Sequence, residues 1–245
     1  MSFFDQVRQF FQEWIDQLYD TFIDGERYTW LLDGLSNTLV ITLGALAIGV
    51  VLGSIIATIK YFSEDCRPLR FFGKLCDFYV TTIRGIPVVV LLFIFYYLIL
   101  QSSEGLVVGI ITFGINSAAY MAELIRSGIN AVDPGQMEAG RSLGMSRVQA
   151  LYKVVLPQAV KNILPAIGNE MIALLKETAV AGYVAVTDLT RAGNLIRNNT
   201  YDAFNPLIIV AVVYLVLVVI LTNLLNKLEK RLNKRDRSKR AAKKL

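Results

Sequence analysis

Charge-free stretches divide this chain. Gly34 to Ile59 runs 26 residues without an acid or a base, Gly85 to Ser103 runs 19, Gly105 to Ala122 runs 18 and Pro206 to Asn226 runs 21. A membrane-crossing helix needs about 20 mostly apolar residues, because the hydrocarbon core is about 30 Å thick and a helix rises about 1.5 Å per residue. Each of the four stretches therefore reads as a crossing. A fifth apolar stretch, 159–187, carries Lys161, Glu170, Lys176 and Glu177. Ionisable groups in crossing helices are costly and face the protein interior, so this stretch reads as a span with an inward polar side. Spans are expected at about 35–59, 78–101, 105–127, 160–186 and 206–226, together forming a transmembrane domain over 34–226. The fold class that follows is an all-α integral membrane protein with five transmembrane helices.

Ahead of the first span the period changes. Phe4, Val7, Phe11, Trp14, Leu18 and Phe22 recur at spacings of three and four, which predicts an amphipathic helix. Its other face is acidic. Residues 1–33 are expected to lie on the outer membrane surface, with a docking surface for a partner as the alternative. The first 23 residues lack the basic start, apolar core and small-residue cleavage site of a signal peptide.

Charge tests the span count. Lys and Arg number 25 against 20 Asp and Glu. Placing the N-terminus outside and the tail 227–245 in the cytoplasm puts 20 of the 25 basic residues on the inner side, as the positive-inside rule demands. Five spans allow this and four do not. The basic tail then reads as a topology determinant drawn to anionic lipid, and the lipid bilayer rather than nucleic acid is its partner.

Composition narrows the chemistry. The chain is 54% hydrophobic and 18% charged, with no histidine and two cysteines. That excludes a His-ligated metal, a His-dependent triad and a Cys₄ site. Cys66 and Cys76, facing a reducing compartment, should be free thiols. No GxxxxGK[ST] loop is present, so ATP hydrolysis is not expected of this chain.

One inner segment is too polar and too broken to span. From Asn130 to Pro157 it reads NAVDPGQMEAGRSLGMSRVQALYKVVLP. Pro134 suits the first turn of a helix, and Gln136–Leu143 suits a short helix. Gly144 can take the positive φ that ends it, and Ser146 can cap the next. The prediction is a helix–turn–helix on the cytoplasmic face, the shape of a socket for a partner.

Here a family resemblance enters. Glu138-Ala139-Gly140, three residues, Gly144, nine residues, then Val154-Val155-Leu156-Pro157 resembles the EAA signature of ATP-binding-cassette (ABC) importer permeases. Gly140 stands in place of the third-position Ala, and Val154 in place of Ile. Arg84-Gly85-Ile86-Pro87, Ala119-Tyr120-Met121-Ala122-Glu123 with Arg126, Gly135-Gln136 and Leu174-Leu175-Lys176-Glu177-Thr178 look like the polar amino-acid subgroup of that family. The resemblance spans Asn37 to about Leu217. It implies a type I ABC importer permease fold in a bacterial cell membrane, with cytoplasmic coupling helices in segment 133–157. The implied partners are a separate ABC ATPase that binds ATP and Mg, an extracytoplasmic amino-acid-binding protein, and a second permease subunit, identical or related. No cofactor is implied for this chain itself. Glu138, Ala139, Gly140, Gly144 and Pro157 are the residues the resemblance assigns to ATPase coupling.

The candidate solute path comes from position. Glu170 and Glu177 are seven residues apart, about two helical turns, and share a face. Asn116 and Tyr120 are further lining candidates, though both could serve helix packing. Arg84 reads as an anchor that snorkels to the inner interface. A carboxylate at Glu170 suits an amino group, which favours arginine, lysine or histidine over glutamine, glutamate or cystine. Pairing with a protein base is the competing reading. A membrane enzyme using Glu170 and Glu177 as acid and base, or a passive anchor, is the remote alternative.

Overall fold

The computed structural model describes residues 3–63 and 67–242, so Cys66 and the last three residues of the tail lie outside it. Ten α-helices follow one another among the described residues. They are α1 (Phe3–Phe22), α2 (Tyr28–Ser63), α3 (Arg70–Gly85), α4 (Val88–Ile94), α5 (Gly105–Asn130), α6 (Pro134–Ser142), α7 (Arg147–Ala150), α8 (Leu156–Glu177), α9 (Leu189–Thr200) and α10 (Asn205–Ala242).

Three stretches are long and apolar enough to cross a membrane alone: Asp24–Ser63, Gly105–Asn130 and Asn205–Leu232. The 78–101 stretch is not one helix. Arg67–Gly85 and Val88–Ile99 meet at 106°, and counting them as one broken crossing gives up to four. The break has a local cause. Pro87 lacks an amide hydrogen and pushes the residue before it out of the helical region, and Ile86 is extended, with φ −101° and ψ 130°. Helix α8, the centre of the expected 160–186 span, is 22 residues long and runs into a 3-10 segment, Thr178–Val184. Its charged residues keep it out of the purely apolar set.

Helices α2 and α5 form the most extensive pair. Helix α2 is apolar on every side, so polarity does not tell it which face to bury. Size does. Its buried positions include Thr38, Ala45, Gly49, Gly53 and Ala57, a stripe of small side chains that lets backbones approach. A Cβ on Gly53 would lie 2.5 Å from the Met121 Cβ, and one on Gly49 would lie 2.6 Å from the Ser117 hydroxyl. Around this pair Ile41, Leu92, Val108, Phe113, Leu174 and Val184 form the main apolar core. A second core joins Ile125, Ile129, Leu151, Val155 and Ile163, under the short helices.

The bundle has two ends. At the end where α2 and α5 finish, Lys60 Nζ lies 2.9 Å from Asp77 and 2.7 Å from Glu123, and Glu123 pairs with Arg126 at 2.9 Å. At the opposite end, α1 is tied down by polar contacts distant in sequence. Trp14 Nε1 donates to Asn205 Oδ1 at 2.8 Å, and the Thr21 hydroxyl donates to Asp202 Oδ2 at 2.9 Å.

Candidate functional site

The segment between α5 and α8 builds itself locally. Asp133 caps α6 by accepting from the Gly135 amide at 2.9 Å, and Pro134 occupies the first turn. Gly144 ends the element with φ +83°. Around it the Met145 amide reaches the Gly140 carbonyl at 3.1 Å, and Arg141 Nη1 donates to the Met145 carbonyl at 2.9 Å. Ser146 and Gln149 form a reciprocal capping box at the start of α7. Gly140 is buried against α7, where a Cβ would meet the Ala150 Cβ at 3.1 Å. The glycine at this position matches the close approach of the two short helices. Glu138, Ala139, Leu143, Gly144, Val148, Tyr152 and Pro157 are exposed, Leu143 by 80%. Arg147 stacks on Tyr61, 5.1 Å from its ring centroid, which fixes α7 to the end of α2. The result is a rigid protruding knob with an apolar tip.

The four path candidates converge. Asn116 is buried, and its side-chain amide points at Glu177 Oε2 from 3.5 Å, a long contact. Glu170 is half-buried, within electrostatic reach of Glu177 and Arg84. The Arg84 guanidinium lies over the Tyr120 ring at 5.0 Å. Tyr120 stands about 22 Å along α5 from its start and about 15 Å from its end. Arg84 is exposed in the last turn of α3, beside the point where the helix stops at Gly85. The cluster carries two carboxylates, one guanidinium, an amide and a phenol on a partly open face.

Three features escaped the sequence reading. Asp188 is fully buried and caps α9 through the Thr190 amide at 2.8 Å. Asn37 donates to the Thr187 carbonyl at 2.9 Å. A cavity of about 800 Å³ lies between the start of α2 and α9. The Asp188 cap is a local signal, whereas the Asn37–Thr187 pairing and the cavity join segments 150 positions apart and have no local pattern.

A family profile described as the inner membrane component of binding-protein-dependent transport systems matches residues 36–234. The chain belongs to this family. A putative glutamine transport system permease protein GlnP of Rickettsia bellii (strain RML369-C) is 37% identical over 192 residues, covering 77% of this chain and 86% of that protein. The arginine transport system permease protein ArtQ of Bacillus subtilis (strain 168) is 38% identical over 192 residues, covering 77% and 85%. A crystal structure of an amino acid ABC transporter with histidines superposes with a TM-score of 0.78 at 41% identity, over 86% of this chain and 98% of that one. The protein is thus a permease subunit of an amino-acid ABC importer. Its relatives are permeases rather than enzymes, and ATP hydrolysis lies in a separate subunit. Family membership brings with it, in general terms, an ATPase, a substrate-binding protein and pairing of permease subunits.

Proposed function

We propose that this chain carries a basic amino acid, arginine, lysine or histidine, through the Glu170 cluster. The charge count supports the reading. Arginine and lysine have one carboxylate and two cationic groups, and the cluster offers one guanidinium, Arg84, with two carboxylates, Glu170 and Glu177, the exposed Lys176 standing beside Glu177. Asn116 and Tyr120 complete the wall. The 38% identical relative named for arginine favours this assignment. The relatives named for glutamine make that amino acid the alternative, ahead of glutamate or cystine.

In this reading the chain crosses five times, with α1 outside and the tail in the cytoplasm. Crossing four is α8 with its 3-10 extension. The knob that exposes Glu138, Ala139, Gly144 and Pro157 over the buried Gly140 seats on the ATPase, which binds ATP and Mg. Nucleotide-driven closure of the ATPase pair moves the knob as a rigid body and switches access from one side to the other.

The test is ATP-dependent uptake into vesicles holding the chain, its paired permease, ATPase and binding protein. Labelled arginine should compete out labelled glutamine, and Glu170→Gln should lower arginine uptake by about tenfold, the cost of a lost charge pair. Preferred uptake of glutamine, or arginine uptake indifferent to Glu170→Gln, would overturn the substrate assignment.

A further inference from the structure

The cavity between α2 and α9 has polar walls, of which Asn37 and Asn199 serve internal hydrogen bonds and Asp33 does not. Trp30, Asp33 and Asn37 fall three and four residues apart, so they share one face of α2, with Ser36 beside them. Leu195, Asn198 and Asn199 form the facing wall on α9. The two helices touch at Gly34, where a Cβ would lie 2.8 Å from the Ala192 Cβ and from the Asp188 carbonyl oxygen. Beside that contact they part and leave about 800 Å³. Two packed helices normally face each other with apolar or small side chains. Here they face each other with a carboxylate, three amides, a hydroxyl and an indole.

The groove is built firmly. Arg27 Nε donates to Asn199 Oδ1 at 2.8 Å, and its Nη1 donates to the carbonyls of Asp20 and Asp24 at 2.9 and 2.7 Å. This locks the end of α1 to the rim. Asp33, by contrast, is exposed and makes no hydrogen bond or ion pair among the described residues. Asp33 is the one acid lining the groove, and it closes an acidic stretch of sequence: residues 1–33 carry Asp5, Glu13, Asp16, Asp20, Asp24, Glu26 and Asp33 against Arg8 and Arg27, while the facing helix α9 carries Arg191 and Arg197.

We infer that this groove receives a protruding lysine- or arginine-bearing segment of the solute-binding protein. The proposal rests on the topology given above, which puts this end of the bundle outside. An aromatic ring beside a free carboxylate suits a cation with an apolar stem. A small-molecule site encloses most of its ligand, whereas Asp33, Ser36, Asn198 and Asn199 are all exposed. A segment anchored in a larger protein fits such an open groove. Charge complementarity of this kind acts on encounter rate and is screened by salt.

The experiment uses the assembled permease–ATPase complex in lipid nanodiscs and the purified binding protein that supports wild-type uptake. Asp33→Lys should weaken docking by about tenfold and flatten its dependence on salt. Asn198→Asp, which puts a second carboxylate opposite Asp33, should tighten docking, a gain that misfolding cannot imitate. Docking unaltered by both charge variants would overturn the proposal. So would separation of the permease subunits by Asp33→Lys, which would make the groove a subunit interface. Loss of direct binding of free arginine in Asp33→Lys would also overturn it, by making the groove a solute site. Uptake by the same variants reconstituted in sealed vesicles keeps the two readings apart. Normal arginine import with docking indifferent to the charge variants fails the groove alone. Altered docking in a complex that prefers glutamine fails only the substrate assignment.

Discussion

At the end of the bundle that carries α6 and α7, order comes from neighbours in sequence. Asp133 caps Gly135, Ser146 and Gln149 cap each other, and Gly144 turns the chain. At the end that carries α1 and α9, order comes from far away. Trp14 reaches Asn205 across 191 positions, Thr21 reaches Asp202 across 181, and Arg27 reaches Asn199 across 172. The first end is a preformed knob that would keep its shape while the helices beneath it move. The second is assembled only when three separate segments meet. A knob suits transmission of force. A composite surface suits recognition, because its shape reports that the bundle is assembled.

The sharpest way to break this contrast is at Gly144. No atom lies within 4 Å of a Cβ added there, so the position demands only its φ of +83°. A β-branched residue in that conformation costs about 1–2 kcal/mol. Gly144→Val should lower ATP-driven uptake by about tenfold or more in reconstituted vesicles, a factor of ten being about 1.4 kcal/mol. Gly144→Asn, tolerant of the left-handed region, should retain most activity. Equal uptake by the valine variant would mean that the knob's geometry is not what couples. A smaller effect is expected at the ionic joint beneath it. Lys60, with a side chain 12% exposed, serves both Asp77 and Glu123. Lys60→Met leaves two acids without their shared cation, while Arg126 still serves Glu123. With Asp77 61% exposed, solvent softens the loss to about 1–2 kcal/mol, read as a lower unfolding temperature in detergent.

The same contrast governs what the sequence reveals. Helix α6 runs from Pro134, the residue the sequence nominates for its first turn, to Ser142. The Gly144 turn and the Ser146 cap were legible because their partners sit within a few residues. Amphipathic α1 was legible from its period, but not its anchors on Asp202 and Asn205. The 106° break at Ile86-Pro87 was written in the sequence as a proline and hidden by the uncharged run around it. Arg84 stands just before the uncharged run that begins at Gly85, and so reads as a snorkelling anchor. Helix α3 instead runs from Arg70 to Gly85, and its last turn brings Arg84 over the Tyr120 ring. The α2–α5 interface is encoded in size, through Gly49 and Gly53, and a hydropathy pattern has no term for size. Glu170, Glu177, Asn116 and Tyr120 could be nominated from spacing, yet only the fold brings Arg84 to them.

The mildest perturbation acts on the composite end, through Asp202. Burial pushes its carboxyl up, but the Asn205 and Phe204 backbone amides and the Asn205 and Thr21 side chains outweigh that and hold it below the ordinary carboxylate range. A carboxylate depressed in the folded state contributes stability that is present above its unfolded value, about pH 4, and is lost as pH falls through the lower folded value. Docking of α1 should therefore be unchanged between pH 7 and pH 5 and loosen only below about pH 4. Hydrogen exchange of the α1 amides, quenched after labelling at each pH, measures this. Thr21→Val removes one donor to Asp202 and should raise α1 exchange modestly at neutral pH, by the equivalent of about 1 kcal/mol. Asp202→Asn should flatten the acid response. If α1 exchanges equally fast in all three proteins, its long-range hydrogen bonds do not hold it, and the contrast between the two ends loses its physical basis.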